Sequence, residues 1–209
     1  MEPYPVTFSV DYPDRVLSRL STAFRFITII PIAILFALLV DASVYSNSSS
    51  NGGRFAYVGA AGGTIVLPVV VMLLFRKKYP RWWLTWNLEF TRFLNRVAAY
   101  WFLMDDRYPS TDDQQSVRLD YPEVSGEELS RGLPLVKWLL AIPHYVVLFF
   151  LAIATFFVLI FVWFAILFTG RYPRGAFEFV EGVMRWSNRV NGYAWTLVTD
   201  RYPPFSLSA

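Results

Sequence analysis

The residues of this sequence that could do chemistry are few and lie in two places. Four carboxylates, those of Asp105, Asp106, Asp112 and Asp113, are close enough in sequence to bind a divalent cation or to exchange protons. They stand in a Ser-Thr-Asp-Gln segment without a neighbouring base, which favours a solvated linker. His144 is the one histidine and there is no cysteine, so the sequence predicts no metal site, no cofactor and no catalytic residue.

His144 is the other residue that could do chemistry. It follows Pro143 near the start of a long apolar run, and an ionisable group within a membrane segment is a functional candidate by default. The alternative that we favour is structural, a neutral imidazole bonded to a backbone carbonyl that the proline leaves free. The sequence contains no phosphate-binding glycine loop, nucleophile elbow or zinc-binding helix motif. An enzyme is therefore not expected.

Long runs without charge indicate that these groups are positioned at or within a membrane. Apolar residues make up 55% of the chain and charged residues 17%. Residues 26–40 and 55–75 carry no charge, and residues 138–169 carry only His144. A helix needs about 20 apolar residues to cross ~30 Å of hydrocarbon. The runs predict an integral membrane protein, with spans near residues 23–43 and 55–75.

Cations flank the first two runs on one side only. Arg15, Arg19 and Arg25 precede the first run, whereas Arg54 alone lies between the runs. A basic group follows the second run: Arg76, Lys77, Lys78 and Arg81. The positive-inside rule therefore predicts a multi-pass membrane protein, with both termini in the cytoplasm and residues 46–53 outside.

Both halves of the chain contain the same polar motif. Arg92, Asn95 and Arg96 recur 93 positions later as Arg185, Asn188 and Arg189. Arg25 and the Ile-Pro step at residues 30–31 recur as Lys137 and the Ile-Pro step at residues 142–143. This repeat predicts two tandem copies, residues 1–110 and 111–209.

Residues 133–169 allow two interpretations. The run could be one long tilted helix kinked at Pro143, since no turn residue marks a break within it. As the counterpart of a two-span hairpin it would instead be a tight hairpin near residues 134–169, with spans at 136–150 and 152–168. We favour the hairpin, because it keeps every repeated polar segment on one side of the membrane.

Helical and strand patterns complete the predicted fold. Amphipathic helices are expected near residues 82–98 and 174–190, either in the membrane interface or packed on a small sheet. Strand candidates are Val6–Tyr12, Tyr100–Asp105, Ser116–Tyr121 and Tyr193–Thr199. The predicted fold is a helical membrane protein with a small β component. Each copy runs strand, hydrophobic hairpin, amphipathic helix, strand, which gives about four spans and a cytoplasmic four-stranded sheet.

Two sets of residues are predicted to make contacts outside the repeated motif. Small residues form a stripe on the second predicted span, typical of close helix packing: Ala56, Gly59, Ala60 and Gly63. Cations at span ends are expected to bind the headgroups of anionic phospholipids: Arg76, Lys77, Lys78, Arg81, Arg171 and Arg174. Nucleic acid is not expected as a partner.

Three strings in the second half carry a family resemblance: Phe-Thr-Gly-Arg-Tyr-Pro at residues 168–173, Arg-Trp-Ser-Asn-Arg-Val at 185–190, and Thr-Asp-Arg-Tyr-Pro-Pro-Phe-Ser-Leu at 199–207. They resemble the bacterial membrane-protein family catalogued as domain of unknown function 4389, with the second copy the better match. The resemblance implies a location in the bacterial plasma (inner) membrane and no catalytic residues.

The function that these patterns favour is a non-catalytic accessory or scaffold subunit, bound to other membrane protein subunits and to lipid. The alternative is a binder or carrier of lipids or other apolar molecules, held in a cleft between the two copies. A membrane enzyme is a distant third.

Overall fold

The computed structural model describes residues 4–32, 79–111, 113, 115–124, 129–130 and 132–208. The elements within these residues, in chain order, are β1 (Thr7–Val10), α1 (Arg19–Ala23), α2 (Arg25–Thr28), α3 (Arg81–Trp101), β2 (Val117–Asp120), α4 (Leu133–Leu140), α5 (Ile142–Thr169) and α6 (Arg174–Ala194).

The apolar run of residues 133–169 is not a hairpin. It forms the short helix α4 and then the uninterrupted 28-residue helix α5. Pro143 has no backbone N–H to bond to the carbonyl of Leu139, and the two helices separate at Ala141. No glycine or proline follows until Gly170, which ends α5 with a left-handed φ of 72°. The hairpin prediction was wrong because nothing local turns the chain.

The prediction of about four spans was also wrong. Among the described residues, one helical stretch, Leu133–Thr169, is long and apolar enough to cross a membrane, judged by length and composition alone. Most of the two predicted spans near residues 23–43 and 55–75 lies outside the described residues. Within this stretch α4 has only 8 residues and α5 is a single helix of 28 residues, so the stretch cannot supply a pair of spans.

A two-stranded sheet replaces the predicted four-stranded one. β1 and β2 pair antiparallel, with Phe8 opposite Leu119. The candidate strands that began at Tyr100 and Tyr193 instead continue the helices α3 and α6. They then turn through Leu103 and Leu197, whose φ angles of 65° and 57° lie outside the β region. At these two places the chain follows the helical period of the preceding residues, although the local composition resembles that of a strand.

The two amphipathic helices pack on the sheet. α3 lies against β2 and α6 lies against β1, so each helix supports the strand from the other half of the chain. A buried apolar core joins the sheet to both helices: Val6, Phe8, Leu119, Trp83, Phe177 and Val180. Of the two placements that the sequence left open for these helices, packing on the sheet describes the apolar face of α6, whereas on α3 it applies to Trp83 but leaves Trp82 and Trp86 exposed.

Two glycines of α6 give a matched test of this packing. A Cβ at Gly182 would come within 2.9 Å of Leu207 Cβ and 3.0 Å of its carbonyl oxygen, whereas a Cβ at Gly175 meets nothing within 4 Å. We expect Gly182→Ala to lower the free energy of unfolding by about 1–3 kcal/mol through overpacking. Gly175→Ala should raise it by at most about 1 kcal/mol through helix propensity. Denaturant unfolding of the two variants in detergent checks this, and equal shifts would refute the close approach of the C-terminal segment.

Candidate functional site

The centre of the repeated motif is a pair of buried asparagines. Asn95 on α3 and Asn188 on α6 each donate an amide hydrogen to the other's carbonyl oxygen, at 2.8 Å in both directions. Each amide also donates within its own helix, to the carbonyl oxygens of Thr91 and Met184. The side-chain donors are therefore satisfied without water, and the pair joins the two halves of the chain.

The first arginine of each motif binds the strand beneath its helix. The Nε atom of Arg92 donates to the carbonyl oxygen of Leu119 at 2.8 Å, and the Nε of Arg185 donates to that of Phe8 at 3.0 Å. Each guanidinium also pairs with a carboxylate one turn earlier on its helix, Glu89 at 2.7 Å or Glu181 at 2.7 Å. Equivalent residues thus make equivalent contacts in the two halves.

The second arginine of each motif binds the segment that follows a Tyr-Pro step. Arg96 donates to the carbonyl oxygens of Ser110 and Thr111, at 3.0 and 3.1 Å. Arg189 donates to those of Ser206 and Ser208, at 3.4 and 2.9 Å. All six motif residues, Arg92, Asn95, Arg96, Arg185, Asn188 and Arg189, are therefore engaged in internal contacts.

A second pair of equivalent cations anchors the apolar helices. Lys137 is fully buried, with its Nζ 2.7 Å from the carbonyl oxygen of Thr199 and 2.6 Å from Asp200 Oδ1. Its counterpart Arg25 is buried against the ring of Tyr100, and it donates to the carbonyl oxygens of Tyr100 and Asp105. The repeat aligns these two cations and also the rings that they contact, because Tyr193, whose ring centroid lies 5.2 Å from Lys137 Nζ, is the counterpart of Tyr100.

Carboxylates at this site are held ionised. Burial raises the pKa of Asp200, but hydrogen bonds from Lys137 and from the backbone of Ser130 outweigh it and leave that pKa below its ordinary value. Asp105 is buried too, and hydrogen bonds from Arg107 and Ser116 hold its pKa below the ordinary value in the same way.

Asp105 is an ion-paired structural residue, so the solvated-linker interpretation was wrong for it. Arg107 lies 2.9 Å from Asp105, and Arg15 bridges Asp105 to Asp106. Asp112 lies outside the described residues. In the part of the chain that the structure describes, no three potential metal ligands come together.

His144 is buried in an aromatic cluster. Its Nδ1 accepts a hydrogen bond of 3.1 Å from the indole Nε1 of Trp186, and its ring stacks on Phe205 with centroids 4.1 Å apart. The partner is thus an indole rather than the backbone carbonyl expected. Since Nδ1 accepts, the proton of a neutral ring lies on Nε2, for which the described residues offer no partner.

The cations predicted to bind headgroups fall into three groups. Arg171 and Arg174 are exposed just beyond the end of α5, where Arg19 is also exposed and donates to the carbonyl oxygen of Phe168 at 3.2 Å. Arg81 is exposed at the start of α3. The remaining cations and the small-residue stripe lie outside the described residues: Arg76, Lys77, Lys78, Ala56, Gly59, Ala60 and Gly63.

The sequence analysis named a cleft between the two halves of the chain without its residues, and the structure has a cleft of about 810 Å³ between α3 of the first half and α5 and α6 of the second. Its walls are mainly apolar, and the Asn95–Asn188 pair lies on its polar side. Arginine, lysine and carboxylate side chains are absent from the lining among the described residues. Thr155 lines the cleft from α5, buried, with a hydroxyl that has no partner in the described part of the chain. Three helices distant in sequence form this cleft, so no local pattern signals it.

The fold defines a mostly helical protein in which an exposed apolar helix lies on a module of two amphipathic helices and a two-stranded sheet. Residues 134–206 match the model of the family described as Domain of unknown function (DUF4389), as one copy. The match covers α5, α6, nearly all of α4, and the C-terminal segment as far as Ser206. The curated proteins and the solved structures show no significant match.

Proposed function

We propose that this chain is a non-catalytic accessory or scaffold subunit of a larger protein assembly in the bacterial plasma membrane. The observation that carries the proposal is the internal use of the repeated motif. Asn95 and Asn188 bind each other, and the four motif arginines bind backbone carbonyls of neighbouring segments. The polar residues most suited to chemistry are thereby committed to holding the protein together.

The proposal treats the chain as two tandem copies, residues 1–110 and 111–209. The equivalent contacts of the motif residues support this, as does the exchange of strands between halves, with β1 on α6 and β2 on α3.

Both ends of the chain would lie on the cytoplasmic side. Tyr4 donates to the carbonyl oxygen of Arg201 at 3.0 Å, which brings the two terminal segments to one place. A multi-pass arrangement rests on the charge-free runs of residues 26–40 and 55–75 and stays a prediction.

The surface that we assign to a partner subunit is a row of rings at the start of α3. Trp83, Trp86 and Phe90 stack in sequence, with centroids 5.5 and 5.1 Å apart. Trp82 packs edge-on beside them and is 71% exposed. Tryptophan is enriched among residues that dominate binding energy at protein interfaces. Arg171 and Arg174 would bind the headgroups of anionic phospholipid.

The second candidate function is binding of a lipid or another apolar molecule, and the cleft favours it. A volume of about 810 Å³ lies within the range of small-molecule sites. Among the described residues the lining carries no charge and the hydroxyl of Thr155 has no partner, which suits a neutral amphiphile with a carbonyl or hydroxyl oxygen rather than a phosphate or carboxylate.

One purification tests both candidates. The full chain is isolated from native membranes in mild detergent, and the proteins and lipids that co-purify with it are quantified. The wild type is compared with the variants Trp82→Ala/Trp86→Ala and Thr155→Val. We expect a protein at fixed stoichiometry, with its recovery reduced at least about tenfold by the double tryptophan variant. Trp138→Ala on α4, which also removes an exposed tryptophan, should leave that recovery unchanged.

Two other outcomes contradict, respectively, the assigned partner surface and the leading proposal. A complex unaffected by Trp82→Ala/Trp86→Ala would show that these rings are not the partner surface. A sample free of other proteins, with a neutral amphiphile that Thr155→Val releases, would instead establish the second candidate.

A further inference from the structure

The helix α5 exposes one continuous apolar stripe along its whole length. The exposed large residues recur every three or four positions, which places them on a single face. They are Ile142, Val146, Phe149, Phe150, Ile153, Phe156, Phe157, Ile160, Phe161, Phe164 and Phe168. None of these side chains can form a hydrogen bond or carry a charge. A stripe of this size marks a surface that meets lipid or another protein.

The other face of α5 is attached to the polar module near both ends. Near the start, His144 accepts the hydrogen bond from Trp186 on α6. Towards the end, the indole of Trp163 donates to the carbonyl oxygen of Thr22 at 3.2 Å, and the backbone N–H of Leu17 donates to that of Gly170 at 2.9 Å. From Gly170 the chain reverses, and α6 returns alongside α5. The helix therefore lies along the module and does not project from it.

This attachment is incompatible with a bilayer crossed along the helix axis. A helix of 28 residues is about 42 Å long, and the hydrocarbon layer is about 30 Å thick. If α5 crossed that layer, α6 beside it would occupy the same depth. The Glu181–Arg185 pair and the strand that it binds through Val10 and Phe8 would then lie within hydrocarbon. Charged and hydrogen-bonding groups are costly there.

The surroundings of the stripe fit the surface of an anionic membrane. Exposed apolar residues continue it at both ends, Leu135 and Leu139 on α4, and Leu20 and Ile27 on α1 and α2. Three exposed arginines, Arg19, Arg171 and Arg174, stand near the end of α5. Cations at the edge of an apolar surface match the negative charge of phospholipid headgroups.

We propose that α5 lies in the plane of the membrane, with its stripe among the acyl chains of one leaflet and with α6 and the sheet on the aqueous side. The occupant of the stripe is an anionic phospholipid bilayer. The inference rests on the membrane location within the proposed function, but not on the partner subunit.

The depth of three positions on the stripe tests the orientation. The chain has no cysteine, so Phe150→Cys, Phe157→Cys and Phe164→Cys each provide one site for a fluorescent label. These positions are seven residues apart, which separates neighbours by about 10 Å along the axis. The labelled full-length protein is bound to phosphatidylglycerol–phosphatidylcholine vesicles that contain lipids brominated at different depths. The depth of each label is measured from the quenching of its fluorescence by these lipids. Arg118→Cys, on the exposed side of β2, serves as the aqueous reference.

An in-plane helix predicts the same depth at all three positions and no quenching at the reference. A depth that changes by about 10 Å from one position to the next would overturn the proposal and show a spanning helix. Absence of quenching at all three would also overturn it, since the stripe would then be covered by protein rather than by lipid. Loss of the partner complex in native purification leaves the depth measurement unaffected, so the two proposals fail separately.

Discussion

Replacing Lys137 with methionine should lower the free energy of unfolding by about 3 kcal/mol. The ammonium group is fully buried, and its removal leaves Asp200 and the carbonyl oxygen of Thr199 without their partner. Methionine keeps most of the apolar stem, so the loss reports the charge rather than a cavity. Denaturant unfolding of the full chain in detergent, followed by tryptophan fluorescence, measures the change.

Two controls separate the buried pair from a general effect of charge. Arg118→Met removes an exposed ion pair with Asp11, and it should change the free energy of unfolding by less than about 1 kcal/mol. In the double variant Lys137→Met/Asp200→Asn the loss should be smaller than the sum of the single losses, because no unpaired charge remains. Strictly additive losses would show that Lys137 and Asp200 do not stabilise each other.

The same pair predicts a pH dependence. The pKa of Asp200 in the folded protein lies below its ordinary value near 3.9, so its contribution is fully present above that value. It is lost as the pH falls through the lowered folded pKa. The Lys137→Met variant should therefore lose less stability than the wild type on acidification below about pH 4.

Replacing one asparagine of the central pair should cost about 2 kcal/mol. In Asn188→Leu, the amide of Asn95 keeps its bond to Thr91 but loses both bonds to its partner, and it stays buried. An unsatisfied buried polar group costs about 1–3 kcal/mol. Thermal or denaturant unfolding of Asn95→Leu, Asn188→Leu and the double variant in detergent measures the three losses.

The double variant decides the interpretation. Because it removes both polar groups together, it should cost clearly less than the two single losses combined. Ser187→Ala, at the exposed neighbour of Asn188, should change stability by no more than about 0.5 kcal/mol. Additive losses would mean that the asparagines act independently and that the two halves are joined by other contacts.

Local patterns in the sequence were sufficient for the elements with a strong period. The 3.6-residue period predicted amphipathic helices near residues 82–98 and 174–190, and the structure has α3 over Arg81–Trp101 and α6 over Arg174–Ala194. Two of the four predicted strands are present, as β1 and β2. The family resemblance, read from short strings, is confirmed over residues 134–206. These features are encoded within a few neighbouring residues, which is why sequence alone could determine them.

Only the tertiary structure decided which surroundings the apolar residues have and which groups the repeated polar motif contacts. An apolar run of 37 residues has the same hydropathy whether it is a hairpin, a span or a helix lying on another helix. Contacts across the chain distinguish these cases, such as His144 with Trp186 and Gly170 with Leu17. The bond between Asn95 and Asn188 joins residues 93 positions apart, and the cleft beside it needs three helices. Such contacts depend on how the elements pack, and no local period carries that information.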